Sequence, residues 1–385
     1  MTKLPDGWKE VELGELFEFQ KKSTIKAGEG KAKGNFKFFT SSDKQTKSLD
    51  TYKLDGEYLI FATGGHAGIH YCNEKFATST DCFVAKVKDS ILSKYVYYYL
   101  YGRIYLLEEG FKGAGLKHIS KGHIQKLKII YPEDKTAQQK IVSILEKAEK
   151  AKEWRKEADE LTKDFLKSVF MEMFGDPLKN PHKFKIEIMS DLLAQNREGT
   201  KCGPFGNALK KEEYVQNGVP VWTMDNIQNN KFIPDGCLFI SKKKYEELKS
   251  YSTISGDIII SRAGTVGKMC VVTTEFPNSI ISTNLIRLSL NHQKILPMYF
   301  TSLMIYCEGS VGRLKTGAEG TYTFMNTGVL KKIKIPLPPI ELQQKFAEIV
   351  EQVEQIKEHQ KQSKGRIDNL FNALMQKAFK GELIL

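Results

Sequence analysis

A helical pattern occurs twice in this 385-residue chain, 205 residues apart and in the same register. In each copy, mostly apolar or small residues recur at alternating steps of three and four. The first copy is Ile141, Ile144, Ala148, Ala151, Arg155, Ala158, Thr162, Phe165 and Val169, and the second is Phe346, Ile349, Val353, Ile356, Gln360, Ser363, Ile367, Leu370 and Leu374. Each set is a heptad seam, which predicts two long helices that pack most economically on each other.

The duplication extends beyond the helices. Leu127–Pro132 matches Ile333–Pro338 just before the two helices, and Gly56–Ile60 matches Gly256–Ile260 within the preceding segments. The segment starts match at a shift of only about 176 residues, so the second segment contains roughly 25 additional residues before Gly256. We therefore predict a domain at 1–134, a helix at 135–175, a second domain at 176–338 and a second helix at 339–385.

The net charge of +12 is distributed unevenly along the chain. The predicted domains contain 21 basic against 17 acidic residues and 21 against 14, whereas the predicted helices contain 9 against 8 and 7 against 7. A positive excess on the domains suits contact with phosphates, and nearly neutral helices suit contact with protein. The same modest balance is also compatible with a role in solubility alone.

Cysteine usage and the start of the chain predict a cytoplasmic protein that does not cross a membrane. The cysteines are far apart and form no CxxC pair, so neither a zinc site nor a disulfide framework is predicted. They are Cys72, Cys82, Cys202, Cys237, Cys270 and Cys307. The opening Met1–Asp6 lacks the apolar stretch of a signal peptide, and Tyr95–Leu107 is too short to span a bilayer.

Helix length favours antiparallel pairing. A helix of about 38 residues is roughly 57 Å long, and parallel pairing would require the second domain to bridge that whole length. Antiparallel pairing places the end of the first helix beside the start of the second, so one compact domain joins them. A centre near Arg155 then predicts Arg155 opposite Gln360, with Ile141 facing Leu374 and Val169 facing Phe346. This polar layer would oppose axial slippage of the helices.

Several segments, in this order and spacing, resemble the specificity (S) subunit of type I restriction-modification systems over essentially the whole chain. They are Leu4–Lys9, Phe38–Ser42, Gly203–Gly206, Asp257–Gly267 and Ile335–Lys345. The resemblance implies an α/β (α+β) fold with two similar target recognition domains, separated by two long antiparallel coiled-coil helices in a pseudo-twofold repeat. Each domain would bind one half of a split, asymmetric site on double-stranded DNA.

The resemblance also implies partners. The helices would dock methyltransferase (M) subunits, and restriction/translocase (R) subunits would join that complex. S-adenosylmethionine, ATP and Mg²⁺ would then be bound by those subunits, and this chain would hold no cofactor or metal and catalyse no reaction.

Two catalytic alternatives rest on short motifs. Arg262–Met269 is similar to a phosphate-binding loop, but it lacks the first glycine and has Met269 where a metal-binding Ser or Thr is needed. A tight turn between two strands explains its glycines. Asp235, Glu247 and Lys249 are spaced like a nuclease metal site, in which carboxylates hold Mg²⁺. The first domain has no counterpart of this triad, and a nuclease remains an outside alternative.

Two further classes fit less well. The chain has neither an Asn-Pro-Pro-Tyr-type loop nor a glycine fingerprint between a strand and a helix, so a methyltransferase is not predicted. A coiled-coil adaptor that binds only protein would explain the helices. It would not explain two diverged basic domains.

Polar side chains on predicted loops are the candidates for DNA contact, because Arg and Lys suit guanine edges or phosphates, Asn suits adenine, and Thr methyls suit thymine. In the first domain they are Lys37, Thr40, Ser41, Ser42, His66, Ser79, Thr80, Lys112, Lys117 and His118. In the second they are Asn207, Lys210, Thr223, Asp225, Asn226, Arg262, Thr265, Lys268, Thr283, Asn284, Arg313, Lys315 and Tyr322. For any one of them, a role in holding its loop is the competing interpretation. Trp222 and Phe205 are predicted to pack in a core.

Overall fold

The computed structural model of the chain describes residues 4–205, 208–262, 267–306, 315–316, 324–325 and 327–383. Its contacts divide the chain into two units, Met1–Ala158 with Gln360–Leu385, and Asp159–His359. Each predicted helix therefore contributes one part to each unit. Among the described residues, none of the helices combines the length and the apolar character that crossing a bilayer requires.

The first unit contains small sheets and short helices ahead of the first long helix. Its strands are β1 (Trp8–Glu12), β2 (Phe17–Phe19), β3 (Phe36–Phe39), β4 (Lys47–Leu49), β5 (Glu57–Ala62), β6 (Ile69–Asn73), β7 (Phe76–Thr78), β8 (Cys82–Val87), β9 (Phe111–Lys112), β10 (His118–Ile119) and β11 (Lys128–Pro132). Its helices are α1 (Leu13–Leu16), α2 (Ser93–Tyr101), α3 (Tyr105–Glu108), α4 (Lys121–Lys126) and the start of α5 (Lys135–Phe174).

The central strand β5 is buried on both faces. It lies in an antiparallel sheet of order β2-β8-β5-β6, beside a second sheet of order β4-β3-β7 in which β3 and β7 are parallel. Leu59 and Phe61 belong to the core shared with α2 and α5, whereas Ile60 belongs to a separate core with Phe39 and Phe76. Alternation of side chains across a strand explains this division, and burial on both faces explains the continuous apolar run.

The second unit begins within α5 and repeats this arrangement. Its strands are β12 (Lys185–Ile188), β13 (Thr200–Cys202), β14 (Tyr214–Val215), β15 (Val219–Trp222), β16 (Ile227–Gln228), β17 (Lys231–Phe232), β18 (Leu238–Ile240), β19 (Ile258–Ser261), β20 (Met269–Val271), β21 (Ile280–Ile281), β22 (Leu285–Leu288), β23 (Lys315–Thr316), β24 (Phe324–Met325) and β25 (Lys334–Leu337). Its helices are α6 (Lys242–Glu247), α7 (Pro297–Tyr306), α8 (Thr327–Lys331) and the start of α9 (Ile340–Ala378).

The second unit has the sheet orders of the first with one strand added. The order β13-β22-β19-β20 corresponds to β2-β8-β5-β6, and β18-β15-β21 corresponds to β4-β3-β7, again with one parallel pair. Strand β14, the β16–β17 hairpin and α6 are the additions, and they lie before β19 as the residue count predicts. The predicted α/β fold with an internal repeat is therefore confirmed.

Side-chain hydrogen bonds at the start of each long helix recur with the repeat. The buried Gln138 amide accepts a bond from Leu92 N–H (2.9 Å) and donates to Pro132 O (2.9 Å). The buried Gln343 amide accepts from Leu296 N–H (2.9 Å) and donates to Pro338 O (2.9 Å). Tyrosines on α2 and α7 do the same, since Tyr95 donates to Ile130 O (3.0 Å) and Tyr299 to Pro336 O (2.7 Å).

The long helices pack antiparallel within each unit. In the first unit, Ile141 and Leu145 share a core with Phe371 and Met375. In the second, the ring centroids of Phe170 and Phe174 lie 5.5 and 5.4 Å from that of Phe346. Facing residues therefore run in opposite chain directions, as the topology predicts.

Burial along the helices departs from the predicted seam toward its C-terminal ends. Phe165 is 49% exposed and Leu370 is 56% exposed, whereas the next residues, Leu166 and Phe371, are buried. A straight α-helix drifts about 20° per heptad relative to a 3.5-residue repeat, which over four heptads approaches the 100° between consecutive residues. The buried face has therefore moved by one residue. The Arg155–Gln360 pairing stays a prediction.

Candidate nucleic-acid interface

Three predicted loop segments of the first domain meet at the turn between β5 and β6. The Ser41 hydroxyl accepts a bond from Gly64 N–H (2.7 Å) and donates to Gly64 O (2.8 Å). On the other side, Gly65 N–H donates to Lys117 O (3.1 Å). Gly65 has a φ of +84°, in the left-handed region that favours glycine, so another residue at this position would strain the turn.

The side chains around this turn divide into supporting and exposed ones. The His118 ring nitrogen Nδ1 lies 3.2 Å from Thr63 O, and a Cβ on Gly64 would lie only 3.0 Å from His118 Cε1. His66, Lys112 and Lys117 are exposed. Ser41 and His118 therefore hold the turn, although His118 is itself exposed, and the side chains of His66, Lys112 and Lys117 are available to a phosphate or a base edge.

The other candidates of the first domain are less available. Lys37 pairs with Glu74 (2.6 Å), and Thr40, Ser42 and Thr80 are half-buried. Ser79 is fully buried, with its hydroxyl accepting from Asp81 N–H (3.3 Å). This burial argues against a DNA contact at Ser79, because its hydroxyl is enclosed and is used in a hydrogen bond within its own loop.

His70, next to this group, supports the Ser42 loop. Its Nε2 lies 2.8 Å from Ser42 O. Burial is the main effect on the ring and lowers the pKa of His70. A lowered histidine pKa favours the neutral ring at pH 7, so His70 adds no charge to this surface.

In the second domain, the segment that is similar to a phosphate-binding loop connects two antiparallel strands, β19 and β20. Ile260 of β19 pairs with Met269 of β20 in an antiparallel register. Lys268 N–H donates to the Ser261 hydroxyl (3.0 Å), and Gly267 N–H donates to Ser261 O (3.0 Å). A strand follows the turn where a nucleotide-binding loop requires a helix. The flanking strands therefore agree with the turn interpretation, and residues 263–266 themselves lie outside the described residues.

Phe205 contradicts the prediction of a core position. The residue is 57% exposed, and the Arg262 guanidinium lies 4.5 Å from the ring centroid. Trp222, by contrast, is fully buried, as predicted. The preceding Gly203-Pro204 pair indicates a loop, and that local signal favours exposure of Phe205 over burial.

The remaining described candidates of the second domain also divide by exposure. Lys210, Asp225, Lys268, Thr283 and Asn284 are exposed. Thr223 caps the turn that follows it, and the buried Asn226 accepts from Thr223 N–H (2.8 Å) while donating to Ile233 O (2.8 Å). The Asn226 amide is thus used by its own loop, which argues against a contact with adenine.

Some candidates cannot be placed on this surface. Asn207, Thr265, Arg313 and Tyr322 lie outside the described residues. Lys315 lies on β23, which pairs with β24.

Two arginines of the second domain are used internally. Arg197 pairs with Asp257 (3.1 Å), and Arg287 donates to Glu198 O (2.6 Å) and Ser252 O. Burial is the main cause that lowers the pKa of Arg287 to about 10. These guanidiniums stabilise loops beneath the surface, so part of this domain's positive charge is unavailable to a ligand.

The nuclease alternative gains no support from the described residues. Glu247 accepts from Lys244 (3.1 Å), and Lys249 pairs with Glu246 (3.0 Å). Nowhere in the described part of the chain do three His, Cys, Asp or Glu side chains come together to hold a metal ion.

In a comparison with known proteins, one family model matches both halves of the chain. The family model described as "Type I restriction modification DNA specificity domain" matches residues 5–162 and again 205–368. The chain belongs to this family. The two matches repeat the division seen in the sheets and in the helices, and the resemblance noted in the sequence is confirmed.

Relatives in this family align along nearly the whole chain. The EcoDI specificity subunit of Escherichia coli is 23% identical over 99% of this chain and 90% of its own length. The MjaVIII specificity subunit of Methanocaldococcus jannaschii is 21% identical over 99% of this chain and 94% of its own.

Two solved structures share the fold. One is the S subunit of a type I restriction-modification system from M. genitalium, with 17% identity, a TM-score of 0.63 and 98% of each chain covered. The other comes from a study of complex assembly and conformational transition in a type I system, with 17% identity, a TM-score of 0.60 and 100% of each chain covered.

Proposed function

We propose that the chain is the DNA-specificity subunit of a type I restriction-modification complex, in which each domain binds one half of a bipartite, asymmetric site on double-stranded DNA. The observation that carries this proposal is one sheet framework present twice with different side chains at the ends of its central strands. The turn after β5 presents His66, whereas the equivalent end of β19 presents Arg262 beside Phe205. Equal frameworks with unequal surfaces suit two different half-sites.

The long helices are proposed to set the distance between the half-sites and to dock methyltransferase subunits. Support comes from exposed positions that are identical in both helices although most others differ. They are Gln139 and Gln344, Lys140 and Lys345, Glu153 and Glu358, and Lys156 and Lys361. Exposed side chains contribute little to folding, so a partner present in two copies is a physical reason for keeping them. Restriction/translocase subunits would join this assembly.

Catalysis is proposed to reside entirely in those partner subunits, with S-adenosylmethionine, ATP and Mg²⁺ bound there. The cytoplasm, where cellular and incoming DNA are both accessible, is the proposed compartment. The purified chain should therefore neither cleave nor methylate DNA when Mg²⁺ and S-adenosylmethionine are supplied. Cleavage that is lost in Asp235→Ala would establish the nuclease alternative instead.

A domain exchange tests the proposal that each domain binds one half of the site. Residues 1–134 are replaced by the first domain of another family member, and the bound sequence is determined by selection from random duplexes. One half of the site should change, while the other half and the spacing persist. An unaltered site, or loss of both halves, would contradict the proposal.

A further inference from the structure

Similar backbone hydrogen bonds extend the strand ends in the two domains. Gln20 N–H donates to Val84 O (2.8 Å) in the first domain, and Gly203 N–H donates to Leu285 O (2.9 Å) in the second. At the end of the central strand, Thr63 N–H donates to Asp81 O (3.1 Å) and Arg262 N–H to Asn284 O (2.9 Å). Thr63 and Arg262 are each the first residue after the central strand of their domain, and each extends the pairing of that strand by one backbone bond.

Phe205 lies two residues beyond Gly203. The backbone there passes very close to its neighbour, because a Cβ on Gly203 would lie 1.8 Å from Ser282 O. Only glycine permits this approach. This close approach allows the residues after Gly203 to turn away from the edge of the sheet, next to Arg262.

The pair formed by Phe205 and Arg262 has the properties of a preorganised recognition group. The guanidinium carbon lies 4.5 Å from the ring centroid, and Phe205 is 57% exposed. Within the part of the chain that the structure describes, Arg262 makes no ion pair. This differs from Arg197 and Arg287, whose guanidiniums are bonded within the domain.

The geometry points to a specific ligand. We propose that Arg262, oriented by stacking on Phe205, binds the O6 and N7 atoms of a guanine in the major groove of the second domain's half-site. A planar guanidinium presents two parallel N–H donors that match these two acceptors. Stacking uses the face of the guanidinium and leaves its edge free for the base. Thr63, which follows β5 in the first domain, is buried and has no such donors, so the end of β5 offers no matching contact.

This inference rests on the proposed function, and a cycle of chemical substitutions tests it. The sequence bound by the full chain is first selected from random duplexes, and the domain exchange identifies the half belonging to the second domain. Each guanine there is then replaced by 7-deazaguanine, which lacks the N7 acceptor. Wild type should lose affinity at one of these guanines, and Arg262→Ala should show no further loss there, because the two changes remove one interaction.

Conservative variants separate base recognition from phosphate binding. Arg262→Lys keeps the charge but loses the two parallel N–H donors of the guanidinium. It should reduce the preference for guanine at that position by about 5- to 150-fold, the range for one bidentate contact. Phe205→Leu should reduce the preference for guanine partly, and Phe205→Tyr should retain that preference. The control Lys268→Ala removes an exposed charge from the same hairpin and should weaken all sequences alike.

The outcomes are distinct. If wild type selects no sequence, the proposed function fails and the inference fails with it. If wild type selects a site but its second half contains no guanine, or Arg262→Lys and Arg262→Ala weaken all sequences equally, the function stands and the guanine contact is wrong. Circular dichroism and thermal melting of each variant show that the fold is retained.

Discussion

Replacement of Gln138 by leucine removes a buried amide from the start of α5. The amide bonds the strand end at Pro132 O and the loop amide of Leu92, both at 2.9 Å, so it closes the helix start onto its domain. Leucine is close in volume and fills the space without a donor or acceptor. The neighbouring Gln139 is exposed and offers a matched control with the same chemical change.

The cost follows from the two backbone groups left without a partner. Each buried group that loses its hydrogen bond costs about 1–3 kcal/mol, so Gln138→Leu should destabilise the first unit by about 2–6 kcal/mol. Gln343 makes three bonds, to Leu296 N–H, Pro338 O and Lys294 O (3.1 Å), so Gln343→Leu should cost the second unit at least as much. Gln139→Leu should change stability by no more than about 0.5 kcal/mol.

Urea unfolding combined with hydrogen exchange assigns each loss to its unit. Because the chain has two units, one unfolding free energy for the whole molecule is not defined. Peptides covering Leu92 and Pro132 should lose protection in Gln138→Leu, and those covering Leu296 and Pro338 in Gln343→Leu. If Gln138→Leu shifts the midpoint no more than Gln139→Leu does, the argument from buried hydrogen bonds is refuted.

Three further predictions concern the surface, the thiols and the helices. Lys112→Ala should weaken binding to all DNA sequences and lower the salt slope by about one in titrations at several salt concentrations, and a changed base preference would show that Lys112 contacts a base. Burial raises the pKa of Cys82 to about 11 and that of Cys270 to about 12. Both thiols should therefore stay protonated at pH 8 and react with a thiol reagent only after the chain unfolds in urea. Mass spectrometry measures this labelling, and rapid labelling of the native chain would contradict the prediction. Replacing both Arg155 and Gln360 by leucine should preserve or raise the melting temperature while broadening the tolerated spacer, and an unchanged spacer requirement in duplexes of graded spacing would reject their proposed role in setting the register.

Local periodicity explains how much of the fold the sequence predicts. The predicted helices at 135–175 and 339–385 are found at Lys135–Phe174 and Ile340–Ala378, because a heptad pattern specifies a helix without knowledge of its neighbours. The buried face is less accurately predicted. Leu166 is buried in place of Phe165, since small angular drift accumulates along a long helix.

The candidate site is predicted by residue type but not by exposure. Ser79 and Asn226 have the chemistry of DNA contacts, yet their polar groups are buried and bonded within their loops. Phe205 has the chemistry of a core residue, yet it is exposed beside Arg262. Composition identifies what a side chain can bind, whereas tertiary packing decides whether a ligand can reach it, and no local pattern encodes the latter.

The positions that the two halves share, and those at which they differ, follow one physical rule. Where a side chain itself makes a framework bond, the residue recurs, as with Gln138 and Gln343. Where the backbone makes the bond, as at Thr63 and Arg262 after the two central strands, the side chains differ and the bond is present in both domains. A backbone N–H donates regardless of the residue that carries it. The ends of the central strands can therefore acquire new base-contacting side chains while the sheets and helix starts persist, which lets one framework serve two different half-sites.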